Sequence, residues 1–91
     1  MIEISDSVLL RAINQFGIEK QALVAVEEMT ELQKEVLKYF NRKEENRHLI
    51  KEELVDVLIT LRQLFLIFNY TEKELSEIAE RKLKRLETKL K

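Results

Sequence analysis

Apolar residues recur every three or four positions along almost the whole chain, a spacing that places them on one face of an α-helix. No stretch alternates apolar and polar residues in the way that a half-buried strand does. The chain has one Gly and no Pro, the two residues that most weaken helices. The pattern therefore predicts an all-α protein.

Turn and cap residues divide this pattern into four predicted helices. Ser5 or Asp6 is placed to cap the first helix, and Gly17 to end it. Thr71 and Glu74 have the spacing of a capping box at the start of the fourth. The polar segment 41–46 is the predicted loop between the second and third helices. The predicted helices span about residues 7–16, 19–40, 48–68 and 71–90.

The third helix is apolar on two sides, and a helix of that kind must be covered on two sides. Four short helices cannot easily do this alone, and a 91-residue chain buries only about 60% of its unfolded surface. We therefore expect a four-helix bundle-like protomer that assembles into a dimer or tetramer. One face carries Leu54, Val57, Leu58, Leu61, Leu64, Phe65 and Phe68; the other carries Val55, Ile59 and Leu66.

Composition narrows the class of protein further. The length indicates one domain over residues 1–91, and the absence of Cys excludes disulfides and thiol nucleophiles. The chain shows no basic, apolar, small-residue leader, so we expect no signal peptide. We expect a cytoplasmic location, since a chain without Cys suits a reducing compartment. The apolar run 54–68 contains Asp56, Arg62 and Gln63, so we expect no membrane span. A net charge of −1 makes nucleic acid an improbable partner.

Two acidic pairs carry the candidate chemistry. Glu28 and Glu31 lie three residues apart on the second helix, and Glu53 and Asp56 do so on the third. At about 100° per residue, each pair points to one side of its helix. Like charges at this spacing repel each other, which suggests that a cation holds them. Carboxylate oxygens suit Mg²⁺ or Mn²⁺.

The two pairs are expected to converge. A polar stripe of Glu53, Asp56, Thr60 and Gln63 runs between the apolar faces of the third helix, and Asp56 is expected to be partly buried. Packed antiparallel, the second helix would bring its acidic flank to this stripe. Glu35, one turn after Glu31, is expected to lie on the surface. The alternative for the acidic residues is a solvated face with salt bridges to Lys34, Lys38 and Lys51.

The pattern Glu27-Glu28-x-x-Glu31 followed by Glu53-x-x-Asp56 resembles the EExxE…ExxD signature of the MazG-like nucleotide pyrophosphohydrolases, an all-α superfamily. The segment 16–21 resembles the stretch that leads into the first motif. Lys82 and Arg85 fall in a segment that resembles the family's KFxRR. The resemblance covers about residues 10–87. The length of the chain and the spacing of its motifs are also similar to those of short phage or prophage members. Glu80 and Leu86 depart from the family pattern, and both departures bear on substrate contacts.

The resemblance implies hydrolysis of a nucleoside triphosphate to the monophosphate and pyrophosphate. It implies that Glu28, Glu31, Glu53 and Asp56 bind catalytic Mg²⁺, with Mn²⁺ as a substitute. Glu27 would orient a ligand or water, or would be a solvated helix residue. The implied substrate contacts are Lys82, Arg85 and Gln21, although Lys82 and Arg85 fit solvated ion pairs equally well.

Two further functions remain open from the sequence. A non-catalytic helical interaction module would explain the apolar surfaces and the Glu80 departure. A small nucleic-acid-binding protein would use the basic fourth helix, but the chain lacks a basic stripe with interleaved aromatic residues.

Overall fold

A computed structural model of the chain describes residues 2–91. Within that range the protein is all-α, as predicted, and contains no strand. The four helices are α1 (Asp6–Phe16), α2 (Ile18–Arg42), α3 (Arg47–Ile67) and α4 (Glu72–Glu87). Residue 1 lies outside the described part of the chain. None of the helices in residues 2–91 has the length and apolar character needed to cross a membrane.

The helix ends follow the predicted signals closely. The Ser5 side chain caps α1 by accepting from the backbone N–H of Val8, which decides between the two predicted caps. The Thr71–Glu74 capping box is formed at the start of α4. Gly17 links α1 to α2 at a φ of 96°, a conformation open to glycine and strained for other residues. The main error lies at the C-terminus, where α4 ends at Glu87 rather than near residue 90.

The α2–α3 hairpin forms the centre of the molecule. The two helices pack along most of their length, and α1 packs against both of them. Arg62 of α3 donates to both carboxylate oxygens of Asp6, at 3.0 and 3.4 Å, and so ties α1 to α3. Helix α4 is separated from the other three helices. None of its Cα atoms lies within 8 Å of a Cα atom in α1, α2 or α3.

Most of the buried residues in the described chain are polar. Leu9, Ala25 and Val57 are the buried apolar residues, whereas Gln21, Glu35, Asn46, Thr60 and Gln63 are the buried polar ones. Both apolar faces of α3 remain partly uncovered: Leu54 and Leu58 are exposed on one and Val55 on the other. One chain therefore buries a polar seam between α2 and α3 and leaves much apolar surface facing outward.

A buried polar contact closes the hairpin at its turn. The Asn46 side-chain amide donates to the Glu35 backbone carbonyl at 2.9 Å and to the Glu35 carboxylate at 2.7 Å. Lys38 lies 3.3 Å from the other carboxylate oxygen. The expectation that Glu35 lies on the surface is wrong, because the Asn46 amide lets the carboxylate be buried with its hydrogen bonds satisfied.

This contact predicts a pH-dependent contribution to stability. The hydrogen bond from Asn46, aided by Lys38 and opposed by burial, lowers the pKa of Glu35 below its ordinary value of 4.5. A lowered carboxyl pKa stabilises the fold above the unfolded-state value, and this stabilisation is lost as the pH falls through the lowered value. Asn46→Ala should therefore lower the melting temperature near neutral pH, and its difference from wild type should shrink below about pH 4.5. The exposed Asn41→Ala is the control, and a pH-independent difference for Asn46→Ala would contradict the expectation.

Candidate metal centre

Two hydrogen-bonded contacts fix how α2 and α3 face each other. Asn46 meets Glu35 near the turn, and Gln63 donates to the Gln21 side-chain carbonyl at 2.7 Å near the open end. Because the helices run antiparallel between these points, the residues midway along each helix also meet. Glu28 of α2 and the pair Glu53 and Asp56 of α3 lie at that midpoint.

The predicted convergence occurs for three of the four carboxylates. Glu28, Glu53 and Asp56 each offer one oxygen, and these three oxygens lie within 4.8 Å of one another. Small side-chain movements would let one Mg²⁺ bind all three oxygens, because two oxygens on one Mg²⁺ lie at most about 4.2 Å apart. Glu28 and Glu53 are half-buried and Asp56 is exposed. The expectation that Asp56 is partly buried is wrong, because its apolar neighbours on α3 are themselves left uncovered by the single chain.

Glu53 is the member of the cluster that a cation would stabilise most. Its Oε2 atom is buried and has no hydrogen-bond partner among the described residues. Burial, followed by the charges of Glu28, Asp56 and Glu31, raises the pKa of Glu53. A buried carboxylate oxygen without a partner is costly, and a divalent cation supplies both the missing ligand and the opposite charge.

Glu31 lies beside the cluster rather than within it. It is exposed, and the Lys34 ammonium is 3.7 Å from one of its carboxylate oxygens. Its charge still acts on Glu53, since it contributes to the raised pKa of that residue. Glu27 is also exposed, and it borders a shallow groove with Phe16 and Lys20 at the start of α2.

The three predicted substrate contacts lie apart from the carboxylates. Lys82 and Arg85 are exposed on α4, which does not pack against α2 or α3 of the same chain. Gln21 is buried and hydrogen-bonded to Gln63, so its side chain is committed to the α2–α3 seam. The sequence predicts Gln63 in the polar stripe but does not identify Gln21 as its partner. The two residues are 42 positions apart, and only the antiparallel packing of α2 and α3 brings them together.

Comparisons with protein-family models, curated proteins and solved structures found no match to this chain.

The Gln21–Gln63 contact predicts strong coupling between the two residues. Gln63→Leu leaves the buried Gln21 carbonyl without a donor, which should lower the free energy of unfolding by about 1–3 kcal/mol. The double variant Gln21→Leu/Gln63→Leu should cost less than the sum of the two single variants, since it removes both polar groups. Urea unfolding at one fixed protein concentration gives these values, with the exposed Gln33→Leu as the control. Additive single-variant effects would show that the hydrogen bond does not couple the helices.

The carboxylate cluster predicts that Glu53→Gln is at least as stable as the wild type without divalent cations and less stable than the wild type with them. Without divalent cations, Glu53→Gln should leave the melting temperature equal or higher, because it removes a charge that burial and its neighbours disfavour. With Mg²⁺ or Mn²⁺, the wild type should gain stability and Glu53→Gln should gain much less. Glu52→Gln, an exposed neighbour, is the matched control and should behave like wild type in both conditions. An equal metal response in all three proteins would contradict a site at Glu53.

Proposed function

We propose that the chain is a divalent-metal-dependent nucleoside triphosphate pyrophosphohydrolase that releases pyrophosphate from an NTP or dNTP. The observation that carries the proposal is the buried, unpartnered Oε2 atom of Glu53, whose carboxylate lies close to those of Glu28 and Asp56. These residues fit Mg²⁺ or Mn²⁺, because they offer hard oxygen ligands on two helices whose register is fixed on both sides of the cluster. The resemblance of both acidic motifs to the MazG-like signature supports the choice of substrate class.

The proposed roles follow from where the residues lie. Glu28, Glu53 and Asp56 would hold the cation, and Glu31 would add negative charge at its edge. A divalent cation in such a site offsets the charge of the triphosphate and activates water for attack at phosphorus. The exposed side of the cluster, at Asp56, is where the triphosphate would enter. Lys82 and Arg85 would contact phosphate only if a second copy supplies them, since α4 of the same chain lies apart.

We further propose that the protein is cytoplasmic and works as a homodimer or homotetramer. The absence of Cys supports the location. The exposed apolar residues of α3 support the assembly: Leu54 is 53% exposed and Phe68 57% exposed in the single chain. Apolar surface of this extent on a small domain is typical of subunit interfaces.

A non-catalytic interaction module is the second candidate, and the same apolar surface favours it. In that case the exposed leucines would bind a partner, and the acidic cluster would be a remnant or a solvated face. The two candidates differ in turnover, because the module would release no pyrophosphate under any metal condition.

Pyrophosphate release separates the two functions. We expect Mg²⁺-dependent release from at least one member of a panel of NTPs and dNTPs that includes dUTP and oxidised or methylated nucleotides. Glu53→Gln and Asp56→Asn should each lower the rate at least about 100-fold, since each removes a ligand charge, whereas Glu52→Gln should retain it. Variants that lose activity must keep the wild-type circular dichroism spectrum. The absence of release across the panel by folded, metal-binding protein would favour the interaction module.

A further inference from the structure

The helix α4 carries an apolar stripe that its own chain leaves mostly exposed, although Leu75 at its start is half-buried. Leu83 and Leu86 are 64% and 53% exposed, and no residue of α4 is buried. The members of this α4 stripe recur every three or four positions and so share one side of the helix. They are Leu75, Ile78, Ala79, Leu83 and Leu86.

The body of the same chain lies near only the start of this stripe. The Cα atoms of α4 stay more than 8 Å from those of α1, α2 and α3. A groove bordered by Arg62, Phe65 and Leu66 on α3 separates α3 from the first turns of α4, around Leu75 and Ala79. The later residues Leu83 and Leu86 do not line this groove, and both are exposed.

The charges of α4 are divided between its two halves. Residues 72–80 contain four glutamates and one lysine, whereas residues 81–87 contain four basic residues and one glutamate, and Lys89 and Lys91 follow the end of the helix. Two such helices side by side in parallel would place acidic half against acidic half and basic half against basic half. In the antiparallel arrangement each acidic half meets a basic half, which attracts rather than repels.

We propose that α4 pairs antiparallel with α4 of a second copy of this chain, stripe against stripe, around a two-fold axis. The division of charge makes the helix complementary to itself in this orientation alone, which is the property that a two-fold interface requires. The proposal adds a contact on α4 to the self-association that the exposed residues of α3 support, and it does not depend on nucleotide hydrolysis.

The stripe also selects a register for the pair. With the two-fold axis between Glu80 and Arg81, Leu75 of one copy lies opposite Leu86 of the other, and Ile78 lies opposite Leu83. Ala79 then lies opposite Lys82, and the small alanine side chain leaves room for the aliphatic stem of the lysine. The two larger pairs of the stripe are thus apolar in the same register that sets Glu80 opposite Arg81 and Glu77 opposite Lys84.

Sedimentation equilibrium tests the stripe. The wild type should be an oligomer, and Leu86→Glu should halve its mass because a carboxylate would be placed in the apolar seam. The matched control is Leu37→Glu, which alters a leucine of similar exposure, 57%, on the side of α2 away from α3. It should keep the wild-type mass. Circular dichroism should show unchanged helix content in both variants.

Charge reversal tests the complementarity. Arg81→Glu/Arg85→Glu/Lys89→Glu gives the second half a net negative charge like that of the first half, and Glu72→Lys/Glu77→Lys/Glu80→Lys gives the first half a net positive charge like that of the second. Each triple variant alone should associate at least tenfold more weakly than the wild type, and an equimolar mixture should recover the wild-type mass. The recovery should weaken as salt is raised, since salt screens exposed charges.

Single cysteines test the orientation, because the chain has no Cys of its own. Leu75→Cys mixed with Leu86→Cys should form a mixed disulfide on mild oxidation, whereas each variant alone should form little.

Several outcomes would overturn the proposal. A wild type that is monomeric at all concentrations would show that the chain does not self-associate. An oligomer that survives Leu86→Glu and both charge reversals, or that Leu37→Glu dissociates instead, would place the interface on the body of the chain. Failure of the mixed triple variants to associate would show that charge does not select the partner. None of these outcomes alters the predicted metal response of Glu53, so the proposed activity is tested separately.

Discussion

The antiparallel contact between α2 and α3 is the constraint on which the rest of the structure depends. It is fixed at both ends by buried side-chain amides, Asn46 on Glu35 and Gln63 on Gln21. Hydrogen bonds of this kind are directional and leave costly unpaired groups when they are lost, so they allow one register and penalise its neighbours. The midpoint of that register brings Glu28 to Glu53 and Asp56.

The same register creates an electrostatic conflict that the chain does not resolve. Glu53 is drawn into the seam with a buried oxygen that lacks a partner, beside two further carboxylates. Its raised pKa is the direct consequence of this burial and of the neighbouring charges. Strained or costly groups that persist in a fold are concentrated at functional sites, and a cation relieves both parts of the cost here.

In a helical bundle that is stable as a single chain, apolar residues lie between the helices and polar residues face the solvent. This chain shows the reverse between α2 and α3. The seam within the chain is polar, whereas Leu54, Leu58, Leu83 and Leu86 face outward. A small domain arranged in this way gains its apolar burial from contacts between chains rather than within one. Metal binding and assembly thus draw on different surfaces: the site uses the polar side of the α2–α3 pair, and the proposed helix pairing uses α4.

The helices, their caps and the candidate ligands could be predicted from the order of residues alone. The Thr71–Glu74 capping box and the Gly17 break depend on local interactions within four residues, and local interactions can be identified from spacing alone. Which charged residues are buried, by contrast, depends on the tertiary packing and could not be predicted from the local sequence. Asp56, set among apolar residues, is exposed because the chain leaves that face of α3 uncovered, and Glu35, set among charged residues, is buried because Asn46 reaches it across the turn. Burial depends on which distant segment covers a side chain, and no local pattern contains that information.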